Sequence, residues 1–240
     1  MKTLRELIDT HDKIVFFGGA GVSTESGIPD YRSRDGIYNR GYRLPAETIL
    51  SHSYFMAHTS EFYDFYRDVM LHPEAKPNAA HVALAKLERA GKLLSVITQN
   101  IDGLHQAAGS RRVRELHGSA HRNHCMSCGK SYTMEDILSS KGVPRCACGG
   151  VIKPDVVLYE ESLNEQTLEE AIGDLERADM LIVGGTSLNV YPAAGLLRYF
   201  GGDATVVINL QPTAFDSRAT LVLTEPIGQA LGNIRIEGDR

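Results

Sequence analysis

Apolar residues fall along this chain in two alternating kinds of run. Short, nearly continuous runs occur at 14–17, 93–98, 113–116, 180–183, 206–208 and 221–223. Runs this brief and rich in Val, Ile and Leu predict parallel strands buried on both faces. Between them the apolar spacing stretches to a helical period. Leu4, Leu7 and Ile8 mark one face of a first helix. Ala80, Ala83, Leu84 and Leu87 mark a second, opened by Pro77-Asn78 and stopped at Gly91, and Leu168, Ala171, Ile172, Leu175 and Ala178 a third. Strands alternating with amphipathic helices predict an α/β fold, a doubly wound, Rossmann-like parallel sheet with helices on both faces. Two stretches interrupt the alternation. The stretch 39–73 carries Tyr42, Tyr54, Phe55, Phe62, Tyr63, Phe65 and Tyr66 near helical spacing, which predicts an aromatic-packed helical insertion. The stretch 121–153 holds the cysteines. Segments 1–38, 74–120 and 154–240 are therefore expected to form the main, ligand-binding domain, and the two insertions a smaller domain beside it.

Composition narrows the partners more than the fold. The 240 residues carry a formal net charge of −5, so no whole-protein attraction to nucleic acid or to an anionic membrane is expected. The N-terminal MKTLRELIDTHDK is mixed in charge, without the apolar core of a secretory signal, and no apolar run is long enough to span a bilayer. The expected location is cytoplasmic.

Candidate chemistry gathers where the strands end, as it does in open α/β sheets. After the first strand, Gly18, Gly19 and Gly21 make a tight turn, and Ser23 and Thr24 suit the opening of a helix; together these would cradle a pyrophosphate. The strict G-x-G-x-x-G pattern is missed at Thr24. Gln99, Asn100 and Asp102 follow the second strand, and His117-Gly118 the third, where a histidine is suited to act as a general base. Gly184, Gly185, Thr186 and Ser187 form another glycine turn with hydroxyls. The four cysteines stand as Cys125-x-x-Cys128 and Cys146-x-Cys148, two tight pairs that read as one tetrahedral zinc site. Four thiolates leave no open coordination position, so the metal would be structural. His121 and His124 are reserve ligands.

These motifs, in this order, resemble those of the sirtuins, the NAD-dependent protein deacylases. GAGVSTESGIPDYRS is similar to the family signature, with Tyr31 in place of phenylalanine. TQNIDGLH at 98–105, ELHG at 115–118, KPDVVLYEE at 153–161 and GTSLNVYPA at 185–193 match further family motifs, so the resemblance covers nearly the whole chain from Ile14 to Asn209. Within the fourth, Leu158, Tyr159 and Glu160 stand where Phe-Phe-Gly is common. The resemblance implies that NAD is the co-substrate. Its pyrophosphate would lie at Gly19, Ala20, Gly21, Ser23 and Thr24, with Asp30, Tyr31 and Arg32 on a covering flap. Gln99 would contact a ribose, and Ile101 and Asp102 the nicotinamide. Gly185, Thr186 and Ser187 would meet phosphate or ribose, Asn209 the adenosine and Ile227 the adenine. His117 and Asn100 would be catalytic, and Val157, Leu158, Tyr159 and Glu161 would pair with an acylated lysine-containing peptide. A four-cysteine zinc ribbon is also implied.

The implied reaction releases nicotinamide, free lysine and O-acyl-ADP-ribose, with His117 as the base on a ribose hydroxyl. Family members that take succinyl-lysine or malonyl-lysine carry Tyr-x-x-Arg in the helical insertion. Here Tyr63 matches the tyrosine, but Tyr66 occupies the arginine position and Arg67 comes one residue late, so acetyl or a longer neutral acyl group is expected. A mono-ADP-ribosyltransferase and a non-catalytic NAD sensor are the alternatives. A monomer is expected.

Overall fold

The computed structural model describes residues 2–31, 36–39 and 42–234. The chain opens with helix α1 (Leu4–Thr10), capped reciprocally by Thr3 and Glu6, and enters strand β1 (Ile14–Gly18). A first excursion contains α2 (Ala46–Ile49), α3 (His52–Ala57) and α4 (Thr59–Phe65). It returns through α5 (Ala79–Arg89), which starts at the Asn78 cap. Next come β2 (Leu93–Thr98), α6 (Leu104–Ala107) and β3 (Val113–Glu115). The second excursion holds β4 (Gly118–Cys125), β5 (Ser131–Tyr132), α7 (Met134–Ser139) and β6 (Ile152–Val156). Helix α8 (Glu165–Arg177), β7 (Met180–Gly184), β8 (Ala204–Ile208), β9 (Leu221–Leu223) and α9 (Ile227–Gly232) follow.

Six strands make one sheet in the order β3-β2-β1-β7-β8-β9, every neighbouring pair parallel. This is the doubly wound arrangement, and its order reverses between β1 and β7. The strand period of two divides each central strand between two cores. In β1, Ile14 and Phe16 join α1, α5 and α9 on one face, while Val15 and Phe17 join α8 on the other. In β7, Met180 and Ile182 pack with the first set and Leu181 and Val183 with the second. Strands β1, β7 and β8 are buried at every position, whereas the edge strands β3 and β9 are not.

A third core lies apart from the sheet. Phe55, Phe62, Tyr63 and Tyr66 pack with Ile137 from α7 and with Ile152 and Val156 from β6. Of the aromatic residues at helical spacing, Phe55, Phe62, Tyr63, Phe65 and Tyr66 are core, Tyr54 is half-buried against them and Tyr42 is exposed. Phe55, Phe62 and Tyr63 meet edge-to-face, which favours the ring quadrupoles.

Three local expectations change. The turn after β1 leads into two short 3₁₀ segments, Ala20–Val22 and Thr24–Ser26, and not into an α-helix. Left-handed Gly27 stops the chain (φ 84°) too soon after Gly19 for cooperative α-helical bonding to develop. The segment after Pro192 is likewise 3₁₀, from Ala193 to Tyr199. The apolar residues Val156–Leu158 also suit a buried strand, but the strand observed there ends at Val156 and runs antiparallel to β4 in a three-stranded sheet with β5. Its inward positions, Ile152 and Val156, cover the third core, which draws the strand away from the parallel sheet.

Candidate active site

The loops at the carboxyl ends of β1, β2 and β7 meet where the strand order reverses. Two glycine turns interlock there: Gly21 N–H donates to the Gly185 carbonyl at 2.8 Å and Gly19 N–H to the Gly184 carbonyl at 3.3 Å. Gly185 is left-handed (φ 59°), and a Cβ on it would come within 2.3 Å of the Val22 nitrogen, so only glycine permits this approach. The crossing forms the floor of a cavity of about 820 Å³, within the size range of small-molecule sites. The sheet side contributes the β1, β2 and β7 loops. The third core contributes Ile37, Leu50, Val69, Met70 and Met134 to the opposite wall.

A hydrogen-bonded chain fixes the polar side chains of the floor. Asn100 Nδ2 donates to Ser23 Oγ at 3.1 Å, and Ser23 Oγ donates to Asp102 Oδ2 at 2.6 Å. The other oxygen of Asp102 accepts from Leu104 N–H at 2.9 Å. Gln99 Nε2 reaches Thr186 Oγ1 at 3.1 Å, joining the β2 loop to the β7 loop. Each of these side chains is held in place by its neighbours, Asp102 through both of its oxygens.

His117 stands just beyond β3. Its Nδ1–H donates to the Gln99 carbonyl at 2.9 Å, which leaves Nε2 as the acceptor nitrogen of the neutral ring. Burial holds its pKa below the ordinary imidazole value, and the Gln99 carbonyl only partly offsets this. A neutral imidazole with a fixed tautomer and a free nitrogen in a cavity is equipped to accept a proton near neutral pH.

The loop after β6 forms the adjoining rim. Val157 N–H donates to the His117 carbonyl at 3.0 Å, so this loop and the histidine are positioned together. Glu161 accepts from Leu158 N–H at 2.9 Å, His52 Nδ1 at 2.8 Å and Lys153 Nζ at 3.1 Å. Burial pushes its carboxyl up, but these donors outweigh it and hold the group below the usual carboxylate range. Tyr159 hydrogen-bonds through its hydroxyl to that of Tyr38 at 3.0 Å, and Tyr38 packs on the Tyr31 ring.

The four cysteine sulfurs lie within 4.8 Å of one another. The pairs Cys125–Cys148 and Cys128–Cys146 approach to 3.5 and 3.6 Å. Sulfurs on a tetrahedron with metal–sulfur bonds of ~2.3 Å stand ~3.8 Å apart, so the group fits one zinc ion. Left-handed Gly129 and Gly149 turn the two loops that carry the pairs. The tighter C-x-C pair is accommodated by a closed turn in which Cys146 N–H donates to the Gly150 carbonyl at 2.9 Å. Neither reserve histidine joins the group. His121 instead bonds through Nε2 to the Asp102 carbonyl at 2.9 Å.

Most residues singled out in the sequence meet at the cavity. Ala20, Gly21, Ser23, Thr24, Asp30 and Tyr31 line it, as do Gln99, Asn100, Ile101, Asp102 and His117. So do Gly185, Thr186, Ser187, Asn209 and Ile227, and, on the rim, Val157, Leu158, Tyr159 and Glu161. Gly19 does not; it packs beneath, where a Cβ would meet the Thr186 side chain at 2.9 Å. Arg32 lies outside the described residues. Sequence reasoning missed Met134, which reaches the cavity from the cysteine-bearing excursion, and His121, which props the β2 loop. For Met134 the sequence carried no signal, since only the packing of α7 brings it there.

Comparison with known proteins gives the same answer throughout. The model of the Sir2 family matches residues 19–192. The NAD-dependent protein deacetylase of Cutibacterium acnes (strain DSM 16379 / KPA171202) is 55% identical, over 97% of this chain and 96% of its own. Among solved structures, a Sir2 with deacetylated p53 peptide and 3′-O-acetyl-ADP-ribose superposes with a TM-score of 0.88 at 42% identity, covering 96% of both chains. A Sir2 with p53 peptide and NAD+ gives 0.83 at 42% identity, again over 96% of both. With a family model matching residues 19–192 and a relative 55% identical over nearly the whole of both chains, the chain belongs to the Sir2 family.

Proposed function

We propose that this protein is an NAD-dependent protein lysine deacetylase that transfers the acyl group from lysine to ADP-ribose. The observation that carries the reading is His117, half-buried in the cavity with Nδ1 committed to the Gln99 carbonyl and Nε2 left to accept a proton. NAD supplies an electrophilic ribose with nicotinamide as leaving group. Ser23, Thr24, Thr186 and Ser187 offer hydroxyls, and the glycine turns offer backbone, for its phosphates and riboses. Asn100 and Asp102, held through Ser23, orient the nicotinamide end, with Ile101 beside them. Asn209 and Ile227 take the adenosine, and Arg32 and Tyr31 cover the ligand. His117 Nε2 accepts the proton of a ribose hydroxyl, and neutral His117 is the form that can do so. The rim residues Val157, Leu158, Tyr159 and Glu161 receive the acyl-lysine peptide by strand-like pairing. The four thiolates hold a structural zinc outside the cavity and take no part in the chemistry. Segments 39–73 and 121–153 act as the small domain. The mild negative charge suits a protein that binds neither nucleic acid nor membrane, and we take it to be a cytoplasmic monomer.

The test is incubation of purified protein with an acetyl-lysine peptide, with and without NAD, and mass spectrometry of both products. Deacetylated peptide together with O-acetyl-ADP-ribose, only when NAD is present, is the expected result. ADP-ribose attached to protein would replace the reading with a transferase, and binding of NAD without turnover would replace it with a sensor.

A further inference from the structure

Glu160 is out of place on two counts. It is a non-glycine residue in the left-handed region (φ 76°), a conformation that costs an L-residue roughly 1–2 kcal/mol, and it occupies the position where related motifs carry glycine. Its side chain is not idle. Helix α3 has three backbone N–H groups in its first turn that its own carbonyls cannot satisfy, and each finds a different acceptor. His52 N–H donates to the Tyr159 carbonyl at 3.0 Å, Tyr54 N–H to Ser51 Oγ at 3.2 Å, and Ser53 N–H to Glu160 Oε2 at 2.9 Å. Ser53 Oγ adds a fourth bond, to Glu160 Oε1 at 3.0 Å. Tyr159 N–H returns a bond to the Leu50 carbonyl at 3.0 Å. The rim loop thus completes the cap of α3, and the Glu160 carboxylate is the only side chain of that loop bound to the helix backbone. Both ends of the loop are anchored: Val157 to the His117 carbonyl, and Tyr159 and Glu160 to α3.

We propose that Glu160 is a positioning residue for the acyl-lysine peptide. By tying the rim loop to α3 it holds Val157–Tyr159 in the conformation that receives the peptide, and it acts on peptide binding without touching the NAD side of the cavity. A glycine there would relieve the backbone but remove the two bonds to Ser53, leaving the loop held to α3 by the backbone bonds of Tyr159 and by Glu161 on His52. This inference rests on the deacetylase reading.

The experiment measures Kd for an acetyl-lysine peptide and, separately, for NAD by calorimetry, together with thermal unfolding and turnover. It compares wild type with Glu160→Ala, Glu160→Gly, Ser53→Ala and the Glu160→Ala/Ser53→Ala pair. Glu160→Ala is expected to weaken peptide binding roughly fivefold, the effect of losing exposed charge-assisted hydrogen bonds, with NAD binding unchanged. Glu160→Gly should recover thermal stability relative to Glu160→Ala without recovering peptide affinity. Ser53→Ala and Glu160→Ala should be non-additive, since they share a bond. Unchanged peptide affinity in Glu160→Ala, with an active wild type, overturns the inference and leaves the deacetylase reading standing. Parallel weakening of NAD and peptide, or rescue of affinity along with stability in Glu160→Gly, makes the residue merely structural and also overturns it. A wild type that neither binds nor deacetylates the peptide overturns both.

Discussion

His117 illustrates how one residue's chemistry is set by what surrounds it. Of nine histidines in the chain it is the one whose Nδ1 is held by the Gln99 carbonyl inside the cavity. Burial lowers its pKa, so the neutral, base-competent form persists to a more acidic pH than for a free imidazole. The sign follows: activity is full above the folded-state pKa and is lost as pH falls through it. The acid limb of kcat/KM against pH should therefore have its midpoint below the ordinary value of 6.5. A midpoint at or above that value would remove His117 from the role of base. His117→Ala should abolish turnover while leaving thermal stability and most NAD affinity, measured by unfolding and by calorimetry.

At the scale of elements, the crossing of the two glycine turns is the feature most sensitive to change. Gly185→Ala forces a side chain into a left-handed residue and against the Val22 nitrogen at 2.3 Å. It should cost on the order of 3 kcal/mol and lower the midpoint of denaturant unfolding. Native-like stability would mean that the loops can part without penalty. This crossing also marks how far the sequence could be read. The glycine clusters at 18–21 and 184–185 announced two turns, and the strands that lead into them lie within a residue or two of the expected limits. Buried strands write themselves into a sequence as continuous apolar runs, which is why the four inner strands β1, β2, β7 and β8 were legible. That the turns interlock depends on β1 and β7 lying side by side, and the 161 residues between Gly18 and Met180 hide that adjacency. The 3₁₀ character of 20–26 was hidden for another reason, since Ser23 and Thr24 cap an α-helix and close a short turn equally well. Strand β6 left no such mark, because Ile152-Lys-Pro-Asp-Val156 buries only its alternate residues against the third core and is not a continuous apolar run.

Across the whole molecule, the cavity is walled by two hydrophobic cores that bring different properties to it. The sheet side is rich in hydroxyls, amides and backbone donors, whereas the far wall is apolar, with Ile37, Leu50, Val69, Met70 and Met134. Two groups of this segment that could answer a carboxylate are committed elsewhere: Arg67 donates to the carbonyls of Ile137 and Gly142 and to Ser140 Oγ, and Tyr63 donates to the Ile152 carbonyl. Tyr66 is fully buried and does not line the cavity. An acidic acyl chain would be desolvated against these five apolar side chains. Catalytic efficiency on an acetyl-lysine peptide should exceed that on its succinyl counterpart by at least roughly tenfold, compared by initial rates at saturating NAD. A preference for succinyl-lysine would place a cation in that wall.

The division of labour between the cores has a practical side for anyone seeking ligands of this protein. Met134 lines the cavity from a helix that follows directly on the first cysteine pair, and the sulfurs themselves contribute nothing to the lining. A compound that strips the metal would therefore register in an activity screen as an inhibitor while competing with neither NAD nor peptide. Its potency would grow with preincubation time, resist excess of either substrate and vanish on adding back zinc. A screening cascade for this fold should carry a zinc-supplemented counter-assay from the start.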